Sequence, residues 1–405
     1  MITTATDRFA LQNAFKLELE NILNYWSTCA IDDTEGGFYG ELTNDNQPIP
    51  GAVKGSVLNA RILWSFSSAY NLTKDLAYLS IAKRALIYIR SYFIDPLYGG
   101  VYWSVTAKGE PADTKKQLYA LAFTIYGLSE YYKATKEEDA LSLALSLYRD
   151  IEKYSFDADR GGYFEAFTRE WKLIDDLRLS DKDANEKKTM NTHLHILEAY
   201  TTLYHVWPDD KLGLQIRRLL QNFEEYIVDA ISYHLVLFFD ENWQVRSETI
   251  SYGHDIEASW LLLEAAEALG DKELVSRIKQ LAVKIAIASA QGLNADGSMN
   301  YEYEPLANHL IAEKHWWVQA EAVVGFYNAY QVTGEEAFFD KAVASWDFTQ
   351  KHIIDHQKGE WLWGVNNDGT VMSGYGKVSF WKCPYHNSRA CMEMITRLEK
   401  ITNKF

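Results

Sequence analysis

A chain of 405 residues with 47% hydrophobic side chains can build a large core, and its 7 prolines and absence of any Gly/Ser-rich stretch leave no evident linker. A formal net charge of −16 argues against nucleic-acid or anionic-membrane partners, which need a basic face. Cys29, Cys383 and Cys391 form no disulfide framework, and the start lacks a secretory signal. No apolar run reaches bilayer-spanning length, so a cytoplasmic location is expected, with a monomer as the simplest state.

Taken in chain order, the first predicted element is a helix over 11–28. A turn-plus-strand signature follows, GGFYGEL from Gly36, and then a helical pair: NARILWSFSSAY (59–70) and, after NLTKD, LAYLSIAKRALIYIRSYF (76–93). The signature returns as GGVYWSV from Gly99, with helices over 117–132 and 140–154. It returns again as GGYFEAF from Gly161, with helices over 193–207 and 212–227. A degraded copy, YHLVLFF from Tyr233, precedes helices over 256–269 and 273–288. DGSMNYEY from Asp296 precedes 318–330 and 337–353. GEWLWGV from Gly359 precedes a last helix over 387–402. The period is roughly 60 to 70 residues, longer than that of the common solenoids.

The first helix of each pair is apolar almost all round, as a buried element is, and the second carries charge on one face. The first and last helices of the chain are suited to pair with each other. Twelve helices in six inner–outer hairpins predict an all-α fold. The expected architecture is an (α/α)6 barrel with short β-strands and turns between the hairpins, forming one catalytic domain over 1–405. An open α-solenoid is the alternative.

In a closed ring, the loops preceding the inner helices gather at one end. There the sequence places Asn59 and Arg61; Tyr119; Asn191 and His195; His254 and Glu257; Trp316, Trp317 and Gln319; and Trp381 with His386. A concave site with a few polar groups among aromatics suits a small molecule. The high content of Trp, Tyr and Phe fits sugar-ring stacking and core packing equally well.

Each residue also has a plainer explanation. His254 and Glu257 share a helix face and suit a structural hydrogen bond. Arg61, in an apolar helix, needs either a carboxylate partner or a polar cavity. Asn59, Asn191 and Gln319 suit caps, and the aromatics suit a core. His193 and His195 diverge by about 200° on a helix, which leaves His193 a structural role. No HExxH, paired CxxC, EF-hand loop or P-loop is present.

NTHLHILEAY (191–200), GHDIEASWLLLEA (253–265), KHWWVQAEA (314–322) and WKCPYHNSRA (381–390) resemble the N-acylglucosamine 2-epimerase superfamily, and within it the branch that epimerises cellobiose. The resemblance runs over essentially the whole chain. It implies an (α/α)6 barrel and, without cofactor or metal, inversion of C2 at the reducing-end glucose of cellobiose, with lactose and mannobiose as further substrates. By motif, His254 and His386 resemble the acid/base pair at C2, and His195 and Glu257 resemble ring-opening or orienting partners. Arg61, Tyr119 and Asn191 resemble sugar-binding groups, Trp317 and Trp381 an aromatic platform, and Asp183 a sugar-contacting acid.

These residue types suit that chemistry. Once the sugar ring opens, the C2 proton is α to a carbonyl, and a histidine with a pKa near the working pH removes it to give an enediolate. A guanidinium such as Arg61 stabilises the developing charge, and Glu257 is positioned to hold the His254 tautomer. A glycoside hydrolase on the same barrel needs paired carboxylates, with Asp183–Glu257 or Asp255–Glu321 as candidates. A monosaccharide isomerase, an ATP-activated N-acylglucosamine epimerase and a carbohydrate-binding scaffold are the other readings.

Overall fold

A computed structural model describes residues 5–402. Its helices follow the predicted hairpins: α1 (Ala5–Thr28), α2 (Ser56–Thr73), α3 (Leu76–Tyr88), α4 (Leu118–Thr135), α5 (Glu138–Tyr154) and α6 (Met190–Val206) form the first half. The second half comprises α7 (Asp210–Asn222), α8 (Tyr252–Leu269), α9 (Lys272–Ser289), α10 (Trp316–Thr333), α11 (Glu336–His352) and α12 (Tyr385–Thr402). Two differences from the sequence pattern matter. The helices expected over 76–93 and 212–227 end at Tyr88 and Asn222, and each continues as a wide π turn, Ile89–Phe93 and Phe223–Ile227. The last helix begins at Tyr385, so His386 lies inside its first turn rather than before it.

Even-numbered helices pack in the cyclic order α2, α4, α6, α8, α10, α12 and back to α2, and the odd-numbered helices lie outside them. The contact between α12 and α2 closes the ring, and α1 packs on α12 as the sixth outer helix, which rules out the open solenoid. The division follows from the sequence. Every residue from Leu118 to Tyr131 of α4 is buried, whereas α7 buries one stripe that includes Leu212, Ile216, Leu219 and Leu220. The hairpin links are two or three residues long and use local signals. Lys74 closes α2 in the left-handed region (φ 62°), and Asp75 caps α3 by accepting from the Ala77 amide.

Two inner-helix glycines set how closely the staves approach. A Cβ at Gly325 of α10 would lie 2.6 Å from the Ile256 carbonyl oxygen of α8, and one at Gly127 of α4 would lie 2.7 Å from the Ala60 carbonyl oxygen of α2. Both obstacles are backbone and cannot swing aside. Gly325→Ala is therefore expected to destabilise the barrel by about 1–3 kcal/mol despite alanine's better helix propensity, measurable by urea denaturation.

A crown of short antiparallel ladders organises the other level of the fold. The dipeptide entering each inner helix pairs with the signature strand of the next repeat: Lys54–Gly55 with Ser104–Val105, Lys116–Gln117 with Ala166–Phe167, and Lys188–Thr189 with Phe238–Phe239. Ile250–Ser251 pairs with Glu302–Glu304, and Lys314–His315 with Gly364–Val365, while a bridge from Leu42 to Val378 joins the last unit to the first. Buried ion pairs recur beneath these ladders: Lys54–Asp32 at 2.8 Å, Lys116–Asp95 at 2.9 Å, Lys188–Asp157 at 2.7 Å and Lys377–Asp355 at 2.7 Å. Each aspartate also accepts amide hydrogens of its own turn, as Asp157 does from Asp159 and Arg160, so the charges are hydrogen-bonded as well as paired. In the degraded fourth unit Ile250 replaces the lysine, and His234 pairs with Asp255 at 2.6 Å instead. The crown thereby holds the N-terminal ends of the six inner helices in a fixed relation.

Candidate active site

Those six helix ends enclose a cavity of about 480 Å³. All eleven side chains carried forward from the sequence line it: Arg61, Tyr119, Asp183, Asn191, His195, His254, Glu257, Trp316, Trp317, Trp381 and His386. Asn59 and Gln319 do not. Asn59 donates to the Gly55 carbonyl at 2.9 Å, and Gln319 exchanges hydrogen bonds with the Met299 backbone, so both are structural. His193 is likewise structural, with Nε2 accepting from the Tyr163 amide at 2.9 Å and Nδ1 at 2.7 Å from the Thr189 carbonyl.

Two histidines pack against one tryptophan. The His254 and His386 rings lie 4.8 and 5.6 Å from the Trp317 ring. Burial pushes the His254 imidazole down to about 3, reinforced by His195 and Lys182. Burial likewise holds His386 well below the usual histidine value, and the Arg61 and Arg389 charges add to that effect. Both imidazoles are therefore neutral at neutral pH.

The partner of His254 corrects the sequence expectation. Its Nδ1 lies 2.8 Å from the Ser251 hydroxyl, not on Glu257. Glu257 turns away along the helix to accept from Arg389 Nη2 at 2.5 Å. Burial and repulsion from Glu321 push the Glu257 carboxyl up to about 7 against the pull of Arg389. His386 Nδ1 meets Glu321 at 2.7 Å, and His195 Nδ1 meets Glu198 at 2.9 Å.

Arg61 resolves its two readings in favour of a polar cavity. No carboxylate pairs with it among the described residues. Its Nη2 donates to the Tyr119 hydroxyl at 2.8 Å, and its guanidinium lies 4.1 Å over the Phe123 ring and 4.7 Å over that of Tyr385. Asp183 accepts from the Ser180 amide and hydroxyl at 2.8 and 2.9 Å, which closes a turn of the 177–186 loop, and Gln117 ties that loop to the barrel by donating to the Leu177 and Arg178 carbonyls. Asn191 presents a buried carbonyl oxygen with no protein partner.

Several lining residues escaped the sequence reading. Glu165 accepts from the Thr189 and Thr192 hydroxyls at 2.8 and 2.5 Å, and burial raises it to about 7. Tyr301 stacks on His315 at 4.0 Å, and Lys182 reaches across the mouth to the Tyr301 hydroxyl at 3.1 Å. Beneath the cavity Arg389 meets Glu198, Glu257 and Glu321. Sequence reasoning singles out Glu257 and offers Glu321 only as a hydrolase carboxylate paired with Asp255, while it gives Glu198 and Arg389 no role. Glu321 is bound to Arg389 and His386, Asp255 is bound to His234, and neither lines the cavity.

Glu257, Glu321 and His386 bring ligand atoms within 4.8 Å of one another, the kind of set that seats a metal ion. Here Arg389 Nη2 lies 2.5 and 2.6 Å from the two carboxylates and supplies their positive charge, so the donor set does not fit a resident metal.

A closed six-hairpin barrel with a histidine- and tryptophan-lined cavity at one end is the architecture of a carbohydrate-active α-barrel enzyme. Comparison with known proteins makes the class specific. The family model for N-acylglucosamine 2-epimerase (GlcNAc 2-epimerase) matches residues 37–387, and the chain belongs to that family of epimerases. It is 49% identical over 389 residues to a cellobiose 2-epimerase of Bacteroides fragilis, covering 96% of this chain and 99% of the relative. It is 41% identical to a cellobiose 2-epimerase of Ruminococcus albus, covering 93% and 96%. The solved cellobiose 2-epimerase of Bacillus thermoamylovorans superposes with a TM-score of 0.92 at 40% identity, covering 96% of this chain and 99% of that one. None of the described helices is long and apolar enough to cross a membrane.

Proposed function

We propose that this chain inverts C2 of the reducing-end glucose of β-1,4-linked disaccharides, converting cellobiose to 4-O-β-glucosyl-mannose, and that it also accepts lactose, giving epilactose, and mannobiose. The barrel acts as one catalytic domain and requires no metal or nucleotide. The observation that carries this reading is the pair of desolvated, neutral imidazoles, half-buried His254 and buried His386, both against the Trp317 ring in one cavity. The resemblance to cellobiose 2-epimerases supports the choice of a disaccharide.

His195, beside Tyr119 at 5.1 Å, assists ring opening by exchanging protons with the ring oxygen or the anomeric hydroxyl. Either His254 or His386 then takes the C2 proton onto Nε2, and the electron pair moves onto the carbonyl oxygen to give the enediolate. The partner imidazole takes a proton from solvent as the enediolate's charge raises its proton affinity and delivers it to the opposite face of C2, while the first imidazole releases the proton it took to solvent, so that both end neutral. Glu321 suits His386 to the part of base, because an ionised carboxylate accepts the Nδ1 hydrogen and leaves Nε2 bare. Ser251 donates or accepts by rotating its hydroxyl, which lets His254 take either tautomer. Trp317 and Trp381 carry the sugar rings, and Trp316, Asn191 and Asp183 bind around them.

The direct test is incubation with cellobiose in heavy water without added metal or nucleotide, followed by NMR. A mannose-type reducing end carrying deuterium at C2 is expected. Free glucose would instead identify a hydrolase, and cellobiose that binds unchanged a scaffold.

A further inference from the structure

Arg389 is 2% exposed, lies one turn beyond His386 on α12, and does not line the cavity. Its Nη1 donates to Glu198 of α6 and to the Tyr385 hydroxyl. Its Nη2 donates to Glu257 of α8 at 2.5 Å and to Glu321 of α10 at 2.6 Å. The rings of Trp260 and Tyr385 pack against the guanidinium at 4.7 and 4.2 Å, which restricts its orientation. One cation thus ties three inner helices to a fourth.

Two of those carboxylates each continue to a histidine. Glu198 Oε2 lies 2.9 Å from His195 Nδ1, and Glu321 Oε1 lies 2.7 Å from His386 Nδ1. An ionised carboxylate only accepts, so each Nδ1 carries the hydrogen, and in the neutral imidazole Nε2 is then the nitrogen with the lone pair. Burial alone would raise Glu198, yet Arg389 and then His195 hold it down at about 2. Burial raises Glu321 against the pull of Arg389, but its two oxygens already accept from Arg389 and the Trp260 indole, which leaves His386 to donate its Nδ1 hydrogen.

We propose that Arg389 is the positioning residue for both histidines. Its planar fork holds Glu198 ionised, opposes the rise that burial gives Glu321, and aligns both carboxylates as acceptors, and so fixes His195 and His386 in the same Nδ1–H tautomer from one shared anchor. The assignment of catalytic steps to this anchor rests on the roles given above to the two histidines. A lysine would preserve the charge but not the fork, because it is a single donor point and cannot span carboxylates on three helices. His254 lies outside the network, bonded to Ser251, and serves as an internal control.

The test uses the full-length enzyme with ¹⁵N-labelled histidine. In the parent, His195 and His386 should show a protonated Nδ1 and a bare Nε2. In Arg389→Lys those two should move toward mixed tautomers while His254 stays unchanged. The kcat for C2 deuteration of cellobiose should fall about 10- to 100-fold, the scale on which orienting partners act, with KM within about threefold. Enzyme-accelerated anomerisation, which needs ring opening alone, should fall with it. If Arg389→Lys fails to fold, Glu198→Gln should shift His195 alone and Glu321→Gln should shift His386 alone. Unchanged tautomers in these variants would overturn the proposal. So would a loss of activity wholly accounted for by a smaller folded fraction. If the parent leaves cellobiose unlabelled in heavy water, the epimerase reading fails, and the tautomer measurement still decides the anchor.

Discussion

His386→Asn is expected to lower the epimerisation kcat by about 10²–10⁴-fold with KM changed only a few-fold, and His254→Asn to do the same. Asparagine keeps much of the shape. At 386 its amide can still donate toward Glu321, so pocket and packing survive while the base is lost. The two variants should differ in one respect. With a base on each face of C2, each variant still washes deuterium into the epimer whose C2 hydrogen faces the surviving histidine, without inversion. Equal loss of exchange and inversion for both epimers in both variants would instead indicate a single base.

The acid limb of kcat/KM tests the same pair. Both imidazoles are held below the ordinary value of about 6.5, His254 at about 3, so their basic forms persist through pH 6.5 and are lost only well below it. The linkage has a definite sign. A histidine whose folded pKa is depressed contributes stability that is complete above the unfolded value. That stability is lost as pH falls toward the folded value, because the unfolded chain takes up the proton first. Initial rates in the acid range therefore need to be read before unfolding intervenes. A limb centred at 6.5 would mean that the essential base is not a desolvated imidazole.

The barrel was legible in the sequence because its repeat is covalent. Every glycine-pair turn, apolar helix and amphipathic helix recurs within one unit, so hydrophobic periodicity reports both the element and its layer. The cavity-facing residues were legible for a related reason. Polar and aromatic side chains at the start of an otherwise apolar inner helix mostly face the crown end, as Arg61, His195, His254, Trp317 and His386 do, although His193 turns instead to the backbone of a neighbouring turn. What was not legible is who partners whom. The spacing of His254 and Glu257 suggested a pair, yet the serine three residues before His254 takes the imidazole, and Glu257 goes to an arginine 132 residues away. Arg389 lay within a recognised motif without a role, because its meaning comes from Glu198, Glu257 and Glu321, each supplied by a different repeat. Side-chain periodicity assigns a residue to a face. It does not choose among the acceptors that ring closure brings to that face, which is also why the hydrolase pair Asp255–Glu321 looked plausible.

Arg61→Met is expected to cut kcat by about 10²–10³-fold, the usual scale for removing one preorganised stabiliser of a developing oxyanion, while the melting temperature stays level or rises. The opposite signs follow from the surroundings of Arg61. It is a 3%-exposed cation with no carboxylate among its described partners, held by the Tyr119 hydroxyl, the Cys383 sulfur and two aromatic faces. Burying a charge without a counter-ion costs stability, and replacing it with an apolar side chain of similar length relieves that cost. The aromatic contacts recover about 1–2 kcal/mol of it, which bounds the expected gain. Arg389 is the contrast within the same barrel: its charge is committed to three carboxylates, so its removal strands them and must destabilise. In the proposed mechanism the Arg61 charge, unpaired with any carboxylate in the ground state, meets its counter-charge only when the enediolate oxygen forms, so its electrostatic benefit would fall on the transition state. Calorimetry and initial rates on the same preparation decide the matter. A melting temperature that falls together with kcat would make Arg61 a member of the fold rather than a stabiliser of the intermediate.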